Sequence, residues 1–190
     1  MPFCKAKSKP ETPFQTPPPP LRPLNTAQWK GLYRGELIIK SLMKTEGKFQ
    51  RLSYYAAGLH PRTCPKALQK ISEYESYRDF ISFIKRSRYH KKTQDFELLF
   101  DHTLLPFPMV LKFRIPRIKA PGIYPFSFPM GLLKGLKGKI QVSRRQGRCF
   151  MELKARWKGP STKINDTVFE VFSITLGRIG IRKVFRVSSI

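Results

Sequence analysis

Acidic residues are scarce in this sequence. The 190 residues include 12 Asp and Glu against 37 Lys and Arg, which leaves a formal net charge of +25. Between His102 and Met151 there is no acidic residue, although ten Lys or Arg lie in that stretch. A compact chain of this charge repels itself, so a polyanionic partner is its natural counterweight. We therefore expect the folded part of the chain, and not only a tail, to bind something negatively charged.

Residues that commonly carry catalysis or bind metals are also few. The three histidines, His60, His90 and His102, do not have the spacing of metal ligands. With only 12 carboxylates, no general acid–base pair stands out. The glycine- and lysine-rich stretch 131–139 departs from the phosphate-binding pattern GxxxxGK(S/T). The sequence therefore predicts a protein that is not an enzyme and that uses no metal or cofactor.

Cysteines and long apolar runs are rare as well. Cys4, Cys64 and Cys149 lie far apart and form no CxxC pair, which favours unpaired thiols in a reducing compartment. No stretch reaches the roughly 18 apolar residues of a transmembrane helix, and the first residues lack the apolar segment of a signal peptide. We therefore expect a protein that is not secreted and that meets membranes only at their surface.

Proline is abundant at the amino terminus. Eight prolines lie within residues 1–25, and four of them are consecutive. Such a run favours polyproline II and cannot enter a core, so we predict a disordered basic arm over 1–25 and one domain over 26–190. The run of four prolines and the leucine that follows it form either a spacer or a docking peptide for a WW- or SH3-type domain. The residues of this candidate peptide are Pro17, Pro18, Pro19, Pro20 and Leu21.

The spacing of apolar residues predicts an α+β domain. Alternation from Trp29 to Met43 is typical of a strand, whereas residues 49–62 and 65–90 have the spacing of a short and a longer helix. Strand patterns then follow at 96–100, 107–116 (an edge strand, given its prolines), 136–144, 148–157, 164–176 and 179–187. Short turns between the last strands indicate an antiparallel meander. We predict one antiparallel sheet covered by one or two helices.

Residues 121–139 combine aromatic and aliphatic residues with lysines, prolines and glycines. This composition suits either a long loop whose aromatic rings enter the core or a loop that inserts into the interface of an anionic membrane. The candidate membrane-contact residues are Tyr124, Phe126, Phe128, Leu132, Leu133, Lys134, Lys137 and Lys139.

Two groups of basic residues are candidate sites for the phosphates of nucleic acids or lipid headgroups. The alternative is a solvated surface without a specific partner. The first group accompanies the strand at 148–157, and the second ends the predicted helix at 65–90. The first comprises Arg144, Arg145, Arg148, Lys154, Arg156 and Lys158, and the second comprises Lys85, Arg86, Arg88, Lys91 and Lys92.

The order of a basic tip, a proline-rich motif at 17–21 and a compact basic domain resembles the matrix proteins of rhabdoviruses. Residues 33–37 (YRGEL) and 131–135 (GLLKG) are loosely similar to the starts of strands in that family, although the proline run lacks the tyrosine of its PPxY motif. The resemblance implies a self-associating structural protein that bridges the ribonucleoprotein and the anionic inner membrane during virion assembly and budding. It also implies a place in the virion and in the host cytoplasm or nucleus.

Two alternatives to the matrix interpretation stay open. One is a protein that binds nucleic acid without sequence preference and has no membrane role, such as a ribosomal or organellar component or a viral movement or silencing protein. The other is an adaptor that acts mainly through its proline-rich arm.

Overall fold

The computed structural model describes residues 23–101, 108–162 and 164–189. An antiparallel sheet of eight strands forms the centre of the described chain. The strands are β1 Ile38–Glu46, β2 Phe49–His60, β3 Ile84–His90, β4 Asp95–Phe100, β5 Met109–Arg114, β6 Gly122–Ser127, β7 Lys137–Arg145 and β8 Arg148–Pro160. The helices are α1 Thr26–Tyr33, α2 Cys64–Ile71, α3 Tyr77–Phe80 and α4 Asp166–Val187, with a 3₁₀ turn at Tyr74–Ser76.

The strand order is β1-β2-β8-β7-β6-β5-β4-β3. The chain forms the hairpin β1–β2, crosses through α2 and α3 to the far edge of the sheet, and returns strand by strand from β3 to β8. All neighbouring strands are antiparallel. The predicted antiparallel sheet with a meander is therefore confirmed, and the meander extends from β3 to β8.

The sheet has an inner face, which α2 and α4 cover in part, and an outer face. Because side chains alternate along a strand, Leu52, Cys149 and Trp157 all point to the inner face. They join a core that includes Leu68 and Ile71 of α2. A smaller cluster lies on the outer face, where Leu32 of α1 packs with Tyr55, Ala57, Leu59 and Phe150.

Helix α4 lies along the free edge of the sheet. The Glu170 carboxylate accepts a hydrogen bond from the Met43 backbone N–H at 2.6 Å, and Asp166 accepts one from the Thr45 N–H at 2.7 Å. These bonds satisfy backbone donors of β1 that an edge strand leaves unpaired. Towards its carboxyl end the helix approaches β2, since a Cβ atom at Gly58 would lie 2.8 Å from the Phe185 ring. None of the described helices is long and apolar enough to cross a membrane.

Several sequence-based assignments are wrong. Residues 49–62 were predicted as a helix, but 49–60 form β2, whose carboxyl-terminal half is buried on both faces and therefore lacks the alternation of a half-exposed strand. The predicted helix at 65–90 breaks into α2, the 3₁₀ turn, α3 and β3. The strands predicted at 164–176 and 179–187 are the single helix α4.

The proline-flanked strand at 107–116 is β5, and it is not at the edge of the sheet. It pairs with β4 over its whole length, but with β6 only at Arg114 and Ser127. The prolines are tolerated because they flank the paired segment.

Phe107 and most of the predicted arm lie outside the described residues, which begin at Pro23, and the arm stays a prediction. Helix α1 starts with a capping box in which Asn25 and Gln28 bond each other's backbone.

Candidate ligand groove

The inner face of the sheet is not filled at its centre. On β8, Cys149, Ala155 and Trp157 are buried, but Met151 and Leu153 between them are only half-buried. Protein interiors are close-packed, so inward apolar residues in the middle of a central strand are ordinarily buried. These two side chains therefore border an open groove.

The groove continues across the neighbouring strands. Ile140 on β7 lies opposite Leu153, and Tyr124 on β6 lies opposite Ile140. Both residues point inward and are half-buried, as are Leu111 and Phe113 of β5. The floor of the groove is thus a continuous apolar strip that crosses four strands.

Helix α4 forms the opposite wall of the groove. It packs mainly on β1 and α2 and leaves the inner face of β5 to β7 uncovered. Phe169 is buried, Ile179 packs against the core, and Phe172 and Leu176 lie between them at helical spacing. This side of the helix is therefore apolar.

The Tyr54 side chain brings a hydroxyl group to the edge of this groove. Tyr54 is on β2 opposite Ala155, and a Cβ atom at Gly177 of α4 would lie 2.0 Å from its hydroxyl oxygen. Within the part of the chain that the structure describes, this hydroxyl has no hydrogen-bond partner. Burial raises the pKa of Tyr54 to about 12, so the hydroxyl stays protonated at neutral pH and is available as a donor.

A disulfide bond lies at one end of the groove. It joins Cys64, the first residue of α2, to Cys149 on β8, and both residues are buried. The expectation of unpaired thiols is wrong for these two cysteines, because the fold brings together residues 85 positions apart. Cys4 lies outside the described residues. The bond fastens α2 to the strand that carries Met151 and Leu153.

His60 holds the end of α4 and is not a candidate ligand residue. Its ring is fully buried, and its Nδ1 accepts a hydrogen bond from the Arg62 backbone N–H at 3.0 Å. Nε2 therefore carries the proton and donates to Ser188 Oγ at 2.9 Å and to the Phe185 carbonyl at 3.2 Å. Burial lowers the pKa of His60, since the charged ring would be poorly solvated.

The lowered pKa of His60 predicts a loss of stability in mild acid. The unfolded chain binds a proton to His60 near pH 6.5 while the folded chain does not, so stability should fall as the pH drops below about 6.5. Urea unfolding at several pH values between 5 and 7.5 measures this slope. A His60→Gln variant should lose most of the slope in this range, and an unchanged slope would contradict the assignment.

The segment predicted as a membrane-inserting loop is mostly strand. Tyr124 and Phe126 are on β6, and Lys137 and Lys139 are on β7. The Phe126 ring is buried over Gly138, and the Tyr124 hydroxyl donates to the Ala120 carbonyl at 2.6 Å. The prolines suggested a loop, but Pro125 lies within β6. This strand pairs with β7 along its whole length and with β5 only at Ser127. Of the remaining candidates, Phe128 and Leu133 pack on the core, whereas Leu132 and Lys134 are exposed.

The basic candidates are spread over different parts of the sheet. Lys154, Arg156 and Lys158 lie on the outer face of β8, and Arg144 and Arg145 are at the β7–β8 turn. Arg148 is engaged, since its guanidinium donates to the carbonyls of Tyr33, Leu59 and His60. The second group is at the far edge of the sheet: Lys85, Arg86 and Arg88 are on β3, and Lys91 and Lys92 are in the turn after it. The docking peptide at 17–21 is outside the described residues.

No family model and no curated protein matches this sequence. Several solved structures match its fold. One is an aromatase/cyclase from a Streptomyces species, at a TM-score of 0.58 and 8% identity over 74% of this chain and 94% of that one. Another is a STAR-related lipid transfer protein from Xanthomonas axonopodis, at 0.55 and 9% identity over 80% and 99%. The chain shares the fold of these proteins.

A further match is the di-domain aromatase/cyclase StfQ of the steffimycin pathway, at a TM-score of 0.57 and 7% identity over 73% of this chain. This chain spans about half of it, 49% of its length. The matches overturn the resemblance to rhabdovirus matrix proteins and the structural role in virions that it implied. They include proteins named for catalysis and one named for lipid transfer, so the fold accommodates both kinds of activity.

Some residues of the groove could be predicted from the sequence, but the shape of the groove could not. The inward direction of Met151, Leu153, Ala155 and Trp157 follows from the alternation of side chains along β8. Tyr54, Ile140 and the apolar side of α4 were not recognised as site residues. The one available signal was the apolar character of residues 168–185, which exceeds what a helix on a solvated surface needs.

Proposed function

We propose that this protein binds an apolar or amphipathic small molecule in the groove between the inner face of the sheet and α4. The observation that carries the proposal is the incomplete burial of Met151 and Leu153 at the centre of the sheet, in the same apolar cluster as Phe169 and Ile179 of α4. Each buried methylene group of a ligand contributes about 0.8 kcal/mol, so a groove of this composition favours a ligand with a substantial hydrocarbon part.

The proposed ligand carries a hydrogen-bond acceptor. Tyr54 brings its hydroxyl to the edge of the groove, and a ligand that covers this hydroxyl without accepting its hydrogen bond would lose free energy. A carbonyl, carboxylate or hydroxyl oxygen of the ligand satisfies it. An acceptor at this position fixes the direction in which the hydrocarbon part lies.

The polar groups of the groove walls favour binding over catalysis. Among the described residues, the other inner-face hydroxyls are engaged: Ser173 donates to Ser41 at 2.7 Å, and Tyr124 donates to Ala120. A lone tyrosine donor orients a ligand but does not supply both a base and an acid. The lipid transfer protein among the structural neighbours supports the same role.

Filling the groove should abolish ligand binding without unfolding the protein. Leu153→Trp places a large ring where the ligand would lie, and we expect affinity for the environment-sensitive probe anilinonaphthalene sulfonate or for a fluorescent fatty acid to fall at least tenfold. Fluorescence titration measures the affinity. Lys154→Trp is the matched control, since it adds the same ring one residue away on the outer face, and it should bind like the wild type.

Two results would contradict the proposal. One is wild-type affinity in a folded Leu153→Trp variant, and the other is an equal loss in Lys154→Trp. Thermal unfolding establishes that each variant is folded. Native mass spectrometry of the wild type after incubation with a lipid extract then identifies which molecules are retained.

A further inference from the structure

Basic side chains are concentrated on the outer face of one half of the sheet. Residues directly opposite each other in a sheet point to the same face, and the register places Lys44, Arg51 and Lys158 in one row across β1, β2 and β8. Lys139 pairs with Lys154, and Lys137 pairs with Arg156. With Lys40 these residues form what we call the basic face: Lys40, Lys44, Arg51, Lys137, Lys139, Lys154, Arg156 and Lys158.

The charge of the basic face is only partly balanced within the described chain. Glu46 lies 3.1 Å from Arg51 and 3.8 Å from Lys44, and Glu152 lies 3.0 Å from Lys154. Glu46 and Glu152 thus pair with three residues of the basic face, Lys44, Arg51 and Lys154. Like charges directly opposite each other destabilise a sheet, so an external anion would relieve the Lys139–Lys154 pair.

On the other half of the outer face, Arg86, Lys112 and Arg114 have carboxylate partners. Asp95 lies 3.1 Å from Arg114 and 3.4 Å from Lys112, and Glu97 lies 3.2 Å from Arg86. The larger excess of positive charge therefore lies on the half of the sheet that carries the basic face. A generally basic composition would not by itself produce this division.

Exposed apolar side chains lie among the basic ones. Leu42 and Ile123 are 61% exposed and Phe49 is 50% exposed, and the register puts all three on the outer face. The Lys158 ammonium lies 5.2 Å from the centre of the Phe49 ring. Aliphatic side chains gain nothing from a phosphate backbone, but they gain from insertion between lipid headgroups, where lysines also reach lipid phosphates.

We propose that the basic face docks on the surface of an anionic membrane, with Leu42, Phe49 and Ile123 inserted among the headgroups. A bilayer presents mobile anions that adapt to any spacing of cations, so no matching arrangement is needed on the partner. The ligand groove is on the opposite face of the sheet, so docking leaves it open to solution. The inference is therefore independent of the ligand that the groove takes.

The test uses the full chain and sedimentation with phosphatidylcholine vesicles that contain either no phosphatidylserine or about a third of it. We expect binding to the anionic vesicles only, and weaker binding as salt is raised. The variant Lys137→Gln/Lys139→Gln/Lys158→Gln should bind roughly 100-fold more weakly, at about fivefold per residue. The control Lys66→Gln/Arg178→Gln/Arg182→Gln removes the same charge from exposed positions of α2 and α4 and should bind nearly like the wild type.

Three outcomes would overturn the proposal. An equal loss in both triple variants would show that net charge, and not this face, drives binding. Undiminished vesicle binding by Leu42→Ser/Ile123→Ser, where about tenfold weakening is expected, would exclude apolar insertion. Competition of a single-stranded RNA for the face at lower concentrations than anionic lipid would make nucleic acid its occupant. Unchanged binding of the groove probe by the basic-face variant keeps this result separate from the ligand-binding proposal.

Discussion

Removing the disulfide by Cys64→Ala/Cys149→Ala should lower the free energy of unfolding by about 4–5 kcal/mol. The two cysteines are 85 residues apart, and in the chain-entropy description a cross-link over such a loop removes that much free energy from the unfolded state. Alanine leaves no unpaired hydroxyl at either buried site. Domains of this size commonly have a stability of 5–15 kcal/mol, so the variant would keep only part of it.

Urea unfolding with and without dithiothreitol measures this effect. Wild type in the reductant should approach the double variant, and the variant itself should not respond to the reductant. Cys4→Ala is the control, because it removes a cysteine that takes no part in the bond, and it should unfold like the wild type. A wild-type transition that stays unchanged under full reduction would contradict a stabilising role for the bond.

Strands with one face in the core were predictable from the sequence, and β8 shows why. Residues 151–158 alternate between apolar and charged side chains, because one face of this part of β8 meets the core and the other meets solvent. The same holds for β7. Strand β2 is covered by α1 on its outer face and by the core on its inner face, and its apolar residues follow one another without alternation. Whether one or both faces of a strand are covered decides the pattern of its apolar residues, and this depends on the tertiary fold.

Helix α4 was misread because its surroundings are unusual for a helix. It contacts β1 and α2 on one side and borders the groove on another, so apolar and β-branched residues extend around much of its circumference. Gly177 and Gly180 added the impression of a turn between two strands. The helix continues through both glycines, and Gly177 lets Tyr54 approach the helix backbone.

Net charge indicates which partners a protein binds but does not indicate its fold. The resemblance to rhabdovirus matrix proteins was wrong for this reason. The excess of positive charge and the proline-rich arm suggested a viral structural protein, yet the same charge is compatible with a ligand-binding fold whose outer face is basic. The groove itself depends on where α4 settles relative to β7 and β8. That distance comes from contacts such as Glu170 with Met43, between residues 127 positions apart in the chain, which no local pattern contains.

Gly177→Ala should destabilise the protein by about 1–2 kcal/mol, whereas Gly180→Ala should stabilise it by up to about 1 kcal/mol. Alanine is the better helix former at both positions by roughly 1 kcal/mol. At position 180 no atom within 4 Å meets the added Cβ, so the gain is kept. At position 177 the Cβ would lie 2.0 Å from the Tyr54 hydroxyl oxygen, and relieving that overlap requires the helix or the ring to shift.

The Tyr54→Phe background tests the cause directly. Without the hydroxyl, the nearest atom of the ring is its Cζ, 3.3 Å from the added Cβ, a contact that a shift of a few tenths of an ångström relieves. Gly177→Ala in that background should then be neutral or stabilising, which corresponds to a coupling of about 2 kcal/mol between the two positions in a double-mutant cycle. Thermal and urea unfolding of the four proteins measures the coupling. If Gly177→Ala costs the same with phenylalanine at position 54 as with tyrosine, the helix does not rest on this hydroxyl, and the wall of the groove that α4 forms is set by other contacts.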